Sequence, residues 1–171
     1  IKLMEDRSPE YIAMFFDAKG STFRHEMYAD YKANRPPMPE DMVVQLPYIK
    51  EVTAAFNLPI MEMAGFEADD LIGTVARQAE KAGYSVVIVT GDKDFMQLVD
   101  DNVKLYMPKS KGLYKTAGKE EVFEKFGCRP DQVVDVLALM GDKVDCIPGV
   151  QGVGPKGAAK LISQFGSLKN M

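Results

Sequence analysis

The run SVVIVT at residues 85–90 constrains the fold more than any other stretch of this chain. It has the length of one strand, and its centre is Val and Ile throughout. An unbroken β-branched run of that kind fits a parallel strand buried on both faces. Just before it, Leu71, Ile72, Val75, Ala76 and Ala79 recur at helical spacing, with Gly83 placed to stop the helix. Further strand candidates are Tyr11–Phe16, Pro59–Met63 and Val103–Met107, the last followed by a basic, hairpin-like patch, KSKGLYK. Helical patterns cover 38–57, 119–126 and 130–140, and a short helix follows Gly91–Asp94. Strands alternating with helices predict an α/β fold: a central, mostly parallel sheet with helices on both faces. Such folds place their sites beyond the carboxyl ends of the strands.

Acids stand at those ends. Asp17, Glu67 and Asp92 each follow a strand candidate, and the full constellation is Asp17, Glu67, Asp69, Asp70, Asp92, Asp94, Asp142 and Asp145. In a helix, 67 and 70 share a face, as do 142 and 145 in a helix or tight turn. Asp92 and Asp94 need a turn to face the same way. Taken one cluster at a time, helix caps and turns account for these residues well. Taken together, converged by a parallel sheet, they would repel one another and protonate unless cations neutralise them. Oxygen donors without His or Cys favour hard ions, Mg²⁺ or Mn²⁺ ahead of Ca²⁺. Eight carboxylates exceed what one octahedral ion needs, so two ions are expected. Such a pair clamps the attacking and leaving oxygens of a phosphoryl displacement.

The net charge of −4 argues against a nucleic-acid partner only if the acids are spread evenly. Setting the eight aside leaves 17 acids against 21 lysines and arginines, a basic protein around one acidic pocket. Two cysteines 18 positions apart and a single His exclude a zinc site and a disulfide framework, and suit a reducing cytosol. No stretch approaches the roughly 18 apolar residues of a membrane span, and no membrane partner is expected. His25 reads as a surface or satisfied side chain, and the methionines as core filler. The chain opens at Ile1 in what reads as the end of an amphipathic helix, so a piece of a longer protein is expected.

The tail, PGVQGVGPKGAAKLI from Pro148, formally contains GxGxxG but lacks the preceding strand of a dinucleotide site. It reads better as a helix-hairpin-helix. Pro155 suits a first helical position, Gly152 and Gly154 leave backbone N–H groups open to a phosphate, and Lys156 and Lys160 add charge. A plain turn between helices is the alternative. Tyr31, Lys32 and Arg35 combine an aromatic ring with cations, as single-strand binders do, although a solvated helix face has the same composition.

With these residues in view, the chain resembles the 5′ nuclease domain of bacterial DNA polymerase I, in the flap-endonuclease family with its PIN-like fold. The blocks FDAKGSTFRHEMYADYKANRPPMPEDM, GFEADDLIGTVARQAEKAG, VTGDKD and LALMGDKVDCIPGVQGVG carry the resemblance in order, from Tyr11 to Phe165. It implies a PIN-like catalytic core with a helical arch over residues 1–127 and a helix-hairpin-helix part over 128–171. It also implies hydrolysis of DNA phosphodiesters at 5′ ends, nicks and 5′-flap junctions, including removal of RNA primer strands. The family's metal ligands fall on the eight acids. Arg24, Lys32 and Arg35 match basic residues near the arch and scissile phosphate, Lys32 and Arg35 with catalytic roles, and Tyr31 matches a base-stacking position. The tail matches an element that grips duplex DNA, commonly with K⁺. A monomer, or part of a polymerase chain, in the bacterial cytoplasm at the nucleoid is what the family implies.

Two departures stand out. The family opens with a strand ending in another metal-binding Asp, which this sequence does not contain, and it continues beyond Met171. Without that strand, weakened metal binding and a non-catalytic DNA-binding fragment form one alternative. Cys146 also stands where the family usually has Asn, which would disturb hydrogen bonding around the ligands. The other alternative is an aspartyl-nucleophile phosphatase, which VVIVTGDKDF and the later GDKVD imitate. Phe95 and Gly91 fit that pattern poorly.

Overall fold

The computed structural model describes residues 2–171, the side chains of Lys2 and Lys111 excepted. The chain divides into two compact units. One comprises the chain through Met27 with Pro36–Leu71, the other Tyr28–Arg35 with Ile72–Met171.

The first unit begins with α1 (Lys2–Arg7), which leads into β1 (Met14–Phe15). β1 pairs in parallel with β2 (Ile60–Met61), Met14 opposite Ile60. Flanking bonds lengthen this short ladder: Met14 N–H donates to the Pro59 carbonyl at 2.8 Å and Phe16 N–H to that of Met61 at 3.0 Å. Between the strands lie α2 (Phe23–Met27) and α3 (Glu40–Ala55). α3 starts after the proline-rich 36–39 segment with Glu40 and Asp41 in its first turn, where the helix dipole favours them. After β2 comes α4 (Ala68–Lys81), which ends at Gly83 with φ +89°.

The second unit holds a three-stranded sheet in the order β3-β4-β5. β3 (Val86–Val89) runs parallel to β4 (Val103–Pro108), with Ile88 opposite Leu105. β4 turns back through the KSKGLYK patch into the antiparallel β5 (Tyr114–Ala117), a strand not anticipated as a separate element. α5 (Lys119–Phe126), α6 (Val133–Met140) and α7 (Pro155–Phe165) follow. Val122, Phe126, Val133, Val136, Ala158 and Ile162 from these helices share one buried cluster with Ile88, Val103 and Leu105. The buried Gln132 ties the helical part together, donating to the Gly166 carbonyl at 2.8 Å and accepting from Arg129 N–H at 3.2 Å.

The α/β character and the mostly parallel pairing match expectation. The strands, however, form two sheets, one per unit. β3 is also less buried than its composition suggests: Ile88 is 5% exposed, while Val87 and Val89 retain 43% and 44%. Alternation explains this, because successive side chains point to opposite faces: Val86 and Ile88 pack on the core cluster, while Val87 and Val89 face away from it. No helix among the described residues is long and apolar enough to cross a membrane.

The connection from β3 to β4 rests on Asp100. Its carboxylate accepts the N–H groups of Asn102 (2.9 Å) and Val103 (2.8 Å) and a bond from Arg77 on α4 (2.5 Å). Burial pushes this carboxyl's pKa up, but the Arg77 and backbone hydrogen bonds outweigh it and hold the pKa below the usual range. The ionised form therefore stabilises the folded chain above the ordinary aspartate pKa, and the benefit disappears as pH falls through the depressed one. Asp100→Ala should cost about 1–3 kcal/mol at pH 7, a gap that urea unfolding should show closing well below about pH 4.

Candidate active site

In the first unit the acids cap a helix and pair with an arginine. Asp17, directly after β1, accepts the Ala68 N–H at 2.7 Å, and Asp70 accepts the Glu67 N–H at 3.0 Å. Two donors at the start of α4 are thus met by carboxylates, as an unfinished helical turn requires. Arg24 on α2 grips Asp70 with both terminal nitrogens, each at 2.7 Å, and lies 3.8 Å from Glu67. Its guanidinium also sits 4.6 Å from the Phe23 ring centroid, and Phe23 packs on Phe66. Glu67 is only 8% exposed, whereas Asp69 is exposed. Capping and charge neutralisation are therefore both at work in the EADD segment.

In the second unit Asp92, Asp94, Asp142 and Asp145 line one cavity of about 650 Å³, with Arg35, Lys93 and Lys125. Met96, Met107 and Val144 add apolar wall. Asp92 accepts the Asp94 N–H at 2.9 Å, which supplies the turn that brings both acids to the cavity. Lys93 Nζ bridges Asp94 (3.0 Å) and Asp142 (3.1 Å), and Arg35 reaches Asp145 at 2.5 Å. Burial raises the Asp94 pKa, and the charges of Asp92 and Asp142 add to it against the lowering effect of Lys93. Burial acts in the same sense on Asp142, but Lys93 and the N–H groups of Val144 and Asp145 outweigh it and lower that pKa. Burial pulls the Lys93 pKa down, yet its two carboxylate partners raise it overall.

The loop carrying Asp142 and Asp145 is closed by its own backbone. Asp142 and Ile147 exchange N–H···O bonds of 2.9 and 2.8 Å, and the chain crosses itself at two glycines. A Cβ on Gly141 would lie 2.4 Å from the Gly149 nitrogen, and one on Gly149 would lie 2.4 Å from the Met140 carbonyl carbon. Gly141 also has φ +70° and ψ 177°, a region open essentially to glycine alone. Cys146, within this loop, has φ +59°. Asn tolerates that left-handed geometry better than Cys, a backbone reason for Asn at this position.

The basic segment is a turn docked on that loop. Lys32 N–H donates to the Asp145 carbonyl at 3.0 Å, and the Asn34 amide to the Lys143 carbonyl at 3.2 Å. Tyr31 is 7% exposed, with Lys32 Nζ 4.9 Å from its ring centroid. The ring expected to stack on a base is thus largely buried here, and Lys32 and Asn34, which follow it, make the loop contacts. In the tail, α7 begins at Pro155 as expected. Gly152 (φ +81°) and Gly154 face open space where a Cβ would sit, and Lys156 and Lys160 are exposed.

The structure thus gathers Asp92, Asp94, Asp142, Asp145 and Arg35 at one cavity, and Asp17, Arg24, Glu67 and Asp70 around the start of α4. Among the described residues no three acids, histidines or cysteines form a cation-binding group by themselves. Cations of the chain bridge the carboxylates instead. The donor set nevertheless suits a hard divalent ion, being all oxygen. Sequence reasoning missed Lys93, although it stands between two aspartates, and the glycines that flank the 142–147 loop.

Known proteins resemble this chain in sequence and in fold. Residues 1–127 match the model of the 5′-3′ exonuclease N-terminal resolvase-like domain, and residues 128–171 that of the 5′-3′ exonuclease C-terminal SAM fold. The chain belongs to the 5′-3′ exonuclease family. It is 44% identical to DNA polymerase I of Caldicellulosiruptor bescii over its whole length, which is 20% of that protein. It is 41% identical to the 5′-3′ exonuclease of Aquifex aeolicus, covering 99% of this chain and 57% of that one. The chain therefore spans between a fifth and somewhat over half of these relatives. Bacteriophage T5 flap endonuclease, solved as a pseudo-enzyme-product complex with DNA and metal ions, superposes with a TM-score of 0.81 at 23% identity. That superposition covers 99% of this chain and 65% of the phage protein, and it shows a common fold, the PIN-like α/β architecture. Membership of this family displaces the phosphatase reading.

Two measurements check the loop. Gly149→Ala should cost roughly 3 kcal/mol or more, because the obstruction is backbone and cannot swing aside. Cys146→Asn should stabilise by about 0.5–1 kcal/mol in urea or thermal unfolding by relieving the left-handed strain.

Proposed function

We propose that the chain carries a divalent-metal-dependent 5′ nuclease activity, hydrolysing DNA phosphodiesters at 5′ ends, nicks and 5′-flap junctions, RNA primer strands included. The observation that carries this reading is the single cavity into which two separate loops deliver Asp92, Asp94, Asp142 and Asp145. The proposed ligands of Mg²⁺ or Mn²⁺, two ions in all, are these four with Asp17, Glu67, Asp69 and Asp70. When bound, such ions lower the pKa of a water and offset charge on the reacting phosphate.

The chain's own residues prepare the site. Asp92 holds the turn that presents Asp94, and the crossed loop fixes Asp142 and Asp145 against it. Lys93 and Arg35 offset the crowded charge and stand ready to meet phosphate oxygens, Arg35 through its planar fork. Arg24 and Lys32 are proposed contacts to the 5′ strand. Gly152, Gly154, Lys156 and Lys160 would grip duplex backbone at the start of α7, with K⁺ as a further ion there. Residues 1–127 form the proposed catalytic core and 128–171 the DNA-binding part, a division that the junction of the two family models supports. The longer polymerase relative supports a place in a longer chain; a monomeric state and a location at the bacterial nucleoid are further parts of the proposal.

A 5′-flap DNA with Mg²⁺ should be cleaved, and chelation with EDTA should stop it. Asp92→Asn or Asp142→Asn should lower kcat/KM by about 100-fold or more with binding largely kept. DNA binding with no metal-dependent cleavage would instead select a purely binding role, and undiminished cleavage in both variants would remove the assigned carboxylates from the chemistry.

A further inference from the structure

Resting on the nuclease reading, we propose that Lys125 holds a phosphate of the nucleic-acid strand where it passes from the acidic cavity to the start of α7. Three cations line that cavity, and two are committed to carboxylates: Arg35 to Asp145, and Lys93 to Asp94 and Asp142. The Lys125 ammonium makes no ion pair or hydrogen bond among the described residues, although four acids line the same cavity. A lysine in the last turn of a helix is favourable with the helix dipole, and that alone would explain a solvated side chain. Its surroundings point further.

The end of α5 is fixed in place. Val122 and Phe126 anchor it in the core, and Gly127 closes it with φ +66°. A Cβ on Gly127 would lie 3.1 Å from the Ala159 Cβ, so the end of α5 touches the middle of α7. Lys160 adjoins Ala159, and Lys156 lies one turn earlier on α7. Both are exposed and, like Lys125, make no ion pair among the described residues. Lys125, Lys160 and Lys156 thus lead over two touching helices from the cavity to the Gly152–Gly154 turn. A row of uncommitted ammonium groups between an acidic cavity and a glycine turn suits a polyanion with regularly spaced charges. Nucleic-acid backbone has that chemistry.

The test is binding of a fluorescent 5′-flap DNA to the whole chain, with Ca²⁺ in place of Mg²⁺ to hold off turnover, over a series of salt concentrations. Lys125→Gln should raise Kd by about 3–10-fold and reduce the slope of log affinity against log salt by about one. Lys125→Arg should restore both values, and Lys119→Gln, on the same helix but paired with Asp101, should change neither. Equal thermal midpoints for all the variants would separate lost contact from lost folding. A Lys125→Gln protein with parental Kd and salt slope would overturn the proposal and leave the nuclease reading standing. If the parent chain itself failed to bind the flap, the nuclease reading would fall and this inference with it.

Discussion

Carboxylates meeting backbone N–H groups at the starts of turns are the contact on which most of this chain depends. Asp17 and Asp70 do so for α4, Asp92 for the turn after β3, Asp100 for the start of β4 and Asp142 for its own loop. Each bond settles a donor that would otherwise need water. The same bonds fix where the second oxygen of each acid lies. Local folding and the placing of chemical groups are thus one event in these segments.

Crowding follows from that economy. Within the second unit, burial is the main influence disfavouring charge on Asp94, Asp92 and Asp142 add to it, and Lys93 opposes them without cancelling the burial. In the first, Arg24 plays the corresponding role for Asp70 and Glu67. Basic side chains interleaved with the acids keep the fold tolerable in charge while leaving oxygen donors grouped for a stronger cation.

Much of this was readable from residue order. SVVIVT, the periodic apolar positions after Leu71 and the Pro155 helix start all became the elements their patterns suggest, whereas of the acids only Asp17 and Asp92 follow a strand closely, Glu67 standing at the start of α4 and Asp142 in the loop after α6. Harder to read were features that arise only when distant segments meet. Tyr31 read as a stacking ring among cations, yet Lys32 and Asn34 after it bond to the 142–147 loop and the ring is largely buried. β5 was hidden by its mixed composition, YKTA rather than an apolar run, and the half-exposed valines of β3 depend on which face the helices cover. Gly141 and Gly149 carry no periodic signal, since their significance is the passage of one backbone over another.

That passage has a consequence for how the segment can vary over time. Two side-chain-free points pinch residues 142–148 into a self-contained eyelet, whose contents are anchored to themselves as much as to the body of the protein. Residues inside the eyelet can be exchanged while its neck keeps its form, which makes it a place where divergence in sequence need not carry divergence in shape. A bulky residue at either pinch point would undo the whole ring.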